Sequence, residues 1–161
     1  VPDWFVRNVV DNEWWVNDKF GARTMLVPEG SRVGAHIHVL EPGKPSTLYH
    51  RELEQEGFLV IEGECLLIVE GEERLLRPWD YFHCAPGTTH GFVGAGNGPC
   101  VVVTLGARTD DNTILYERNE VALRHDAGVE QDTNTPREAY APFPKWESAR
   151  PDAWDSLPWR R

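Results

Sequence analysis

The sequence predicts an all-β domain, a barrel or sandwich of short strands. From residue 32 to about residue 107, β-branched and aromatic runs alternate with Gly-, Pro- and Asp-containing turn signals. Several runs, Phe58-Leu59-Val60-Ile61, Leu66-Leu67-Ile68-Val69 and Val101-Val102-Val103, are apolar at every position instead of alternating. Such strands must bury both faces, one inside a closed barrel and the other beneath further cover. No long amphipathic helix is visible, and one short helical turn is expected at 119–123.

The elements follow in order. Roughly the first 30 residues are aromatic and irregular, with Trp14-Trp15 and a short strand at 23–27. A strand at 33–40 is closed by Glu41-Pro42-Gly43, and another spans 48–52. Strands 57–61 and 65–69 read as a hairpin around Glu62-Gly63-Glu64, and Glu70-Gly71-Glu72 turns into 74–77. Strands 80–84 and 90–93 flank Pro86-Gly87, and 99–105 closes the set, after a Gly-rich rim loop at 94–98. The tail is rich in Pro, charge and Trp. The expected division is an N-terminal extension at 1–30, a barrel domain at 31–125 and a tail at 126–161. The Trp-rich ends look too small to cover the outer faces. A homodimer that packs those faces or exchanges N-terminal segments is therefore expected.

A chain of 161 residues fits one domain with one core. Its formal charge of -10 argues against nucleic-acid or anionic-membrane partners, which need a basic face. No run is long and apolar enough for a transmembrane helix, and Val1-Pro2-Asp3-Trp4 lacks a leader pattern. Cys65, Cys84 and Cys100 are odd in number and widely spaced, which points to a reducing, cytoplasmic setting without disulfides.

The chemistry concentrates between Gly43 and His90. His50, Glu52 and Glu56 are followed, after strands that can pair, by His90 just past Pro86-Gly87. Two His with one or two carboxylates suit a first-row divalent metal. His50 and Glu52 lie two apart on a strand and so share a face. The opposite register would turn Tyr49 and Arg51 inward, burying an Arg and discarding the His. Glu54 falls where the strand should turn, and Glu52 could also belong to a solvated acidic edge. His36 and His38 likewise share a face but lack an acid at matching spacing, so they are candidates for pocket lining. Cys84 beside His83 reads as a small buried side chain. Trp14, Trp15, Trp79 and the tail Trp residues read as packing or subunit contacts rather than ligand platforms. No phosphate-cradling loop, nucleophile elbow or Cys-x-x-Cys site competes.

Residues 43–63 and 79–94 resemble the two signature motifs of the cupin superfamily, small jelly-roll barrels. In the first, His50-x-Glu52 stands for the family's His-x-His pair, Glu56 follows three residues later and Gly63 six residues beyond. In the second, Gly87, Thr88-Thr89 and His90 match, whereas Trp79 replaces a Gly, Ala85 a Pro and Gly94 an Asn. The resemblance covers about residues 33–106 and implies a single-domain jelly roll with irregular N- and C-terminal extensions. It implies His50, Glu56 and His90 as ligands of one divalent metal ion, with Glu52 at the fourth position. Two His and two carboxylates lean toward Mn, Fe(II) or Zn. Alternatively, Glu52 points away and the site is three-coordinate or empty.

Two function classes follow. The first is a metal-dependent enzyme acting on a small polar molecule, with Glu52 or a pocket His moving protons. Its chemistry would resemble that of sugar or sugar-phosphate isomerases and epimerases, dioxygenases or lyases. The second is a non-catalytic barrel that senses or sequesters a small molecule or metal.

Overall fold

The computed structural model describes residues 4–111 and 113–160; the leader reading at Val1-Pro2-Asp3 and the final Arg161 lie outside the described residues. The first strands are β1 (Trp15–Asn17), β2 (Gly21–Met25), β3 (Val33–Leu40) and the two-residue β4 (Arg51–Glu52). They are followed by β5 (Glu56–Glu62), β6 (Glu64–Val69), β7 (Glu72–Leu76), β8 (Tyr81–Cys84), β9 (His90–Ala95) and β10 (Cys100–Ala107). The C-terminal part adds β11 (Ile114–Leu115), the helices α1 (Glu120–Arg124) and α2 (Pro136–Ala139), and β12 (Glu147–Ser148). The helical turn expected at 119–123 is α1, started by the Asn119 side chain, which accepts from the Val121 and Ala122 N–H groups.

The strands form a seven-stranded sheet in the order β12-β1-β2-β3-β10-β5-β8 and a three-stranded sheet in the order β7-β6-β9. A small β11-β4 pair joins them, and every pairing is antiparallel. This is the jelly-roll barrel expected. One local expectation is corrected. β5 and β6 do not form a hairpin: β5 pairs with β10 and β8, and β6 pairs with β7 and β9. At Gly63 the chain turns the corner between sheets with φ +74°, and a Cβ there would lie 2.4 Å from the Pro99 carbonyl oxygen. Only glycine fits that corner without displacing backbone.

Both faces of the apolar strands are indeed covered. Inside the barrel, Leu40, Phe58, Val60, Leu67, Phe92 and Val102 form the core with Cys65, Cys84 and Cys100. Outside the large sheet, Ile37, Val39 and Val101 pack under Trp14, Trp154 and Leu157 from the two ends of the chain. Trp14 meets Trp154 edge-on at 5.6 Å and Trp159 at 5.2 Å between centroids. Outside the small sheet, Ile68 and Val93 are covered by Tyr49, Ala122 and Ala127. The chain's own ends thus supply more cover than their composition suggests, because three Trp rings cluster over one patch. A fourth cluster of Phe20, Leu48, Tyr116, Val129 and Ala139 caps one end of the barrel and shapes the approach to its interior.

Candidate metal centre

The register places His50 and Glu52 inward and leaves Arg51 exposed. His50 sits at the entry to β4, where it exchanges two backbone hydrogen bonds with His90: His50 N–H to His90 O at 3.0 Å and His90 N–H to His50 O at 2.8 Å. This closely paired arrangement brings the two rings to 5.0 Å between centroids. Tyr49, on the opposite face, is buried outside the barrel, and its hydroxyl accepts from the Gly71 N–H at 3.0 Å.

Glu56 begins β5 and points inward beside Gly106 of β10. Its Oε2 lies 3.3 Å from His90 Nε2, and one ligand atom from each of His50, Glu56 and His90 falls within 4.8 Å of the others. The imidazoles are oriented for coordination. His50 Nδ1 lies 2.6 Å from the Leu48 carbonyl and His90 Nδ1 3.1 Å from the Thr88 carbonyl. A carbonyl accepts only from N–H, so the proton sits on Nδ1 and the Nε2 lone pair is free to bind metal. Glu56 Oε2 is buried without a hydrogen-bond donor. A borderline, anionic donor set with one such orphaned oxygen fits a divalent ion held at about 2.0–2.2 Å from its ligands.

The electrostatics agree. Burial, and secondarily the neighbouring Glu52, pushes the Glu56 carboxyl up to about 8. Burial and then His50 hold His90 down at about 3, while its bond to the Thr88 carbonyl opposes the shift. His50 is likewise lowered by burial, against its bond to the Leu48 carbonyl and the charge of Glu52. The His residues are thus neutral and ready to ligate, while the carboxyl holds a proton that a cation would displace.

Glu52 Oε1 stands 3.7 Å from His50 Nε2, at the border of the three-ligand group, and it lines the cavity above. Glu54 turns away to bond the Thr109 hydroxyl. His36 and His38 do face the interior, but they lie outside the ligand group. Burial lowers both, His36 to about 4 with Arg23 and Arg108 adding to the effect, and His38 to about 3 with His36 and Arg23 adding to it. Cys84 is buried, with its sulfur 3.4 Å from His90 Nδ1, and its thiol is pushed up to about 12, chiefly by burial. His83 is exposed on the other face.

The motif departures have local reasons. Trp79 adopts φ +76°, so it keeps the left-handed backbone that a glycine would adopt more readily. At Gly94 a Cβ would lie 2.2 Å from the Glu41 carbonyl oxygen, which excludes any side chain there.

Beside His50 and Glu52 lies a cavity of about 670 Å³, lined among others by Arg23, Ser46, Tyr116, Tyr140, Lys145 and Trp146. Tyr116 and Tyr140 hydrogen-bond each other, and the Tyr140 hydroxyl also accepts from the Leu48 N–H at 3.1 Å. None of these six stood out in the sequence. Arg23 is an ordinary strand residue, and the tyrosines and Trp146 come from segments without a motif. Trp146 packs against the Phe20 cluster, as expected of a tail Trp, and also lines this cavity.

Residues 36–106 match the family model described as Cupin domain. No curated protein matches the sequence significantly. Among solved structures, a sugar phosphate isomerase of the cupin superfamily from Silicibacter pomeroyi is similar at 24% identity and TM-score 0.61, over 71% of this chain and 87% of that one. A protein from Acidithiobacillus ferrooxidans, with a provisional sugar phosphate isomerase name, is 25% identical at TM-score 0.53, over 58% of this chain. This chain spans only 64% of that protein's length. The polyketide cyclase RemF from Streptomyces resistomycificus is 18% identical at TM-score 0.54, over 64% of this chain and 80% of that one. The shared barrel therefore occurs in proteins named for different reactions. With the domain match over 36–106 and the jelly roll around it, this chain carries a cupin domain.

Proposed function

We propose that this chain is a metal-dependent enzyme acting on a small polar molecule, with His50, Glu56 and His90 holding one divalent ion. The observation that carries the proposal is the convergence of those three ligand atoms within 4.8 Å, with His50 also lining a cavity large enough for a substrate. Mn, Fe(II) or Zn suits the donor set. When bound, the ion supplies Lewis acidity to a substrate oxygen. Glu52, on the cavity wall beside His50, is the group that moves a proton. A carboxylate so placed, near the Tyr116–Tyr140 hydroxyl pair, favours isomerase- or epimerase-type proton transfer. The similarity to proteins named sugar phosphate isomerase supports the same reading. The proposal includes a homodimer, supported by Val33, Leu105 and Tyr81, which remain exposed on the outer face of the large sheet. It also includes a cytoplasmic setting, suited to three free cysteines.

Elemental analysis of protein purified without added metal, followed by an oxygen-uptake assay, tests the reading. One equivalent of Mn, Fe or Zn without oxygen uptake is expected. Metal-dependent oxygen uptake would replace isomerase chemistry with dioxygenase chemistry. Failure to retain or take up any divalent ion would leave a non-catalytic barrel.

A further inference from the structure

We infer that the cavity receives a substrate carrying a carboxylate or phosphate group, and that Arg23 is the residue that binds this oxyanion. The inference rests on the metal-enzyme reading only for where the opposite end of the substrate lies.

Arg23 pairs with His38 across β2 and β3, which places it on the inner face of the barrel. It lines the same cavity as His50 and Glu52. Its guanidinium lies over the Trp146 ring, 4.2 Å from the centroid. A cation–π contact engages the charge, and the forked N–H groups of a guanidinium suit a planar two-oxygen partner. Among the described residues no carboxylate pairs with it, and its electrostatic neighbours are Tyr140, His36 and His38. Among the described residues, Arg51, Arg74, Arg118, Arg124 and Arg160 each face a carboxylate within 4.0 Å, and unpaired arginines such as Arg32 and Arg77 are exposed to water. Arg23 is unpaired by a carboxylate and also partly buried, so it has neither a counter-charge nor full hydration. Desolvating a guanidinium without an anion is unfavourable. A ligand oxyanion removes that deficit.

The cavity also inverts the charge of the protein. The chain carries 26 acidic and 16 basic residues, yet Arg23, Arg137 and Lys145 line this cavity against one carboxylate, Glu52. A concave site of that sign concentrates anions from solution in spite of the acidic exterior. The Tyr140 hydroxyl and Ser46 line the same cavity and can hydrogen-bond a polar substrate body. The substrate class is therefore a small, oxygen-rich acid or phosphate ester. Its anionic end lies at Arg23 and its reacting oxygens at the His50–Glu56–His90 group.

Calorimetric titration of the full chain with inorganic phosphate and, separately, succinate tests this, each with and without one equivalent of Mn²⁺. Saturable one-to-one binding of at least one anion is expected, and the stronger binder distinguishes a phosphate from a carboxylate substrate. Arg23→Met should weaken it at least tenfold. Arg23→Lys, which keeps the charge but loses the fork, should weaken it at least threefold and serves if Arg23→Met fails to fold. The double variant Arg137→Gln, Lys145→Gln, which removes general positive charge but not the fork, should weaken it less than Arg23→Met does, and Mn²⁺ affinity should be unchanged in Arg23→Met. The inference is overturned if neither anion binds, if the Arg23 variants bind like the unmodified protein, or if the rim variant loses as much as Arg23→Met. Anion binding that needs Mn²⁺ and ignores Arg23 overturns it while leaving the metal reading intact. Arg23-dependent binding in a chain that takes up no divalent ion sustains it and removes the metal reading.

Discussion

Raising the pH from 6 to 8 should tighten Mn²⁺ binding about fiftyfold, with about one proton released per ion at pH 6 and about half a proton at pH 8, because the proton belongs to Glu56. Burial and the nearby Glu52 hold that carboxyl at about 8, so an ion entering below this pH must displace a proton. Well below 8 each unit weakens binding about tenfold, roughly 1.4 kcal/mol; because the carboxyl is already half ionised at 8, the two units make about 2.3 kcal/mol. The histidines add nothing in this window. His90 is held at about 3 and His50 is also lowered, so both are already neutral at pH 6. A site of ordinary groups would behave in the opposite way, gaining affinity up to the imidazole range near 6.5 and levelling off above it. The shape of the curve, not only its size, carries the test. Titration of free Mn²⁺ by electron paramagnetic resonance in non-coordinating buffers, repeated on Glu56→Gln, measures it. The variant should bind more weakly and with no slope between pH 6 and 8. A plateau above pH 6.5, or an unchanged slope in the variant, would refute the assignment of the proton to Glu56.

Further outcomes are expected. His90→Ala should lose tight Mn²⁺ binding while its circular dichroism stays β-rich, because the core inside the barrel is apolar and independent of the ion. Glu52→Gln should keep one equivalent of Mn²⁺ and move the midpoint of the pH curve downward, since Glu52 contributes to raising Glu56. In metal-free protein the raised Glu56 means the folded state binds the proton more tightly than the unfolded chain. Its contribution to stability is complete below about 4.5 and falls as pH rises toward 8, by a few kcal/mol on the order of the shift, and Glu56→Gln should remove that fall in denaturant titrations. Trp154→Ala should lower stability by about 3–5 kcal/mol by opening the Trp14–Trp154–Trp159 cluster, read as a reduced unfolding midpoint.

The barrel was legible in the sequence because strand periodicity and turn residues act locally. β3 occupies Val33–Leu40 as expected, and β5 and β10 differ from expectation by one or two residues at their ends. The ligand residues were legible for a related reason. His50 and Glu52 share a strand face, and the family motif brings Glu56 and His90 to the same place. The Gly63 corner was misread because a turn residue with positive φ says that the chain bends, not whether it returns beside the same strand or crosses to the other sheet.

By itself, then, the sequence determined the all-β architecture, because period-two alternation and fixed turn spacing are properties of neighbouring residues, and the family resemblance pointed to the grouping of His50, Glu56 and His90 that the fold brings together. Tertiary structure alone decided the rest. Arg23 from β2, Tyr116 beyond β11, Tyr140 at the end of α2 and Trp146 before β12 are separated along the chain by up to about 120 residues, yet they line one cavity. No local pattern encodes such a meeting. It arises only when the tail packs over the open end of the barrel, where Phe20, Leu48, Tyr116 and Ala139 bury their apolar surface together.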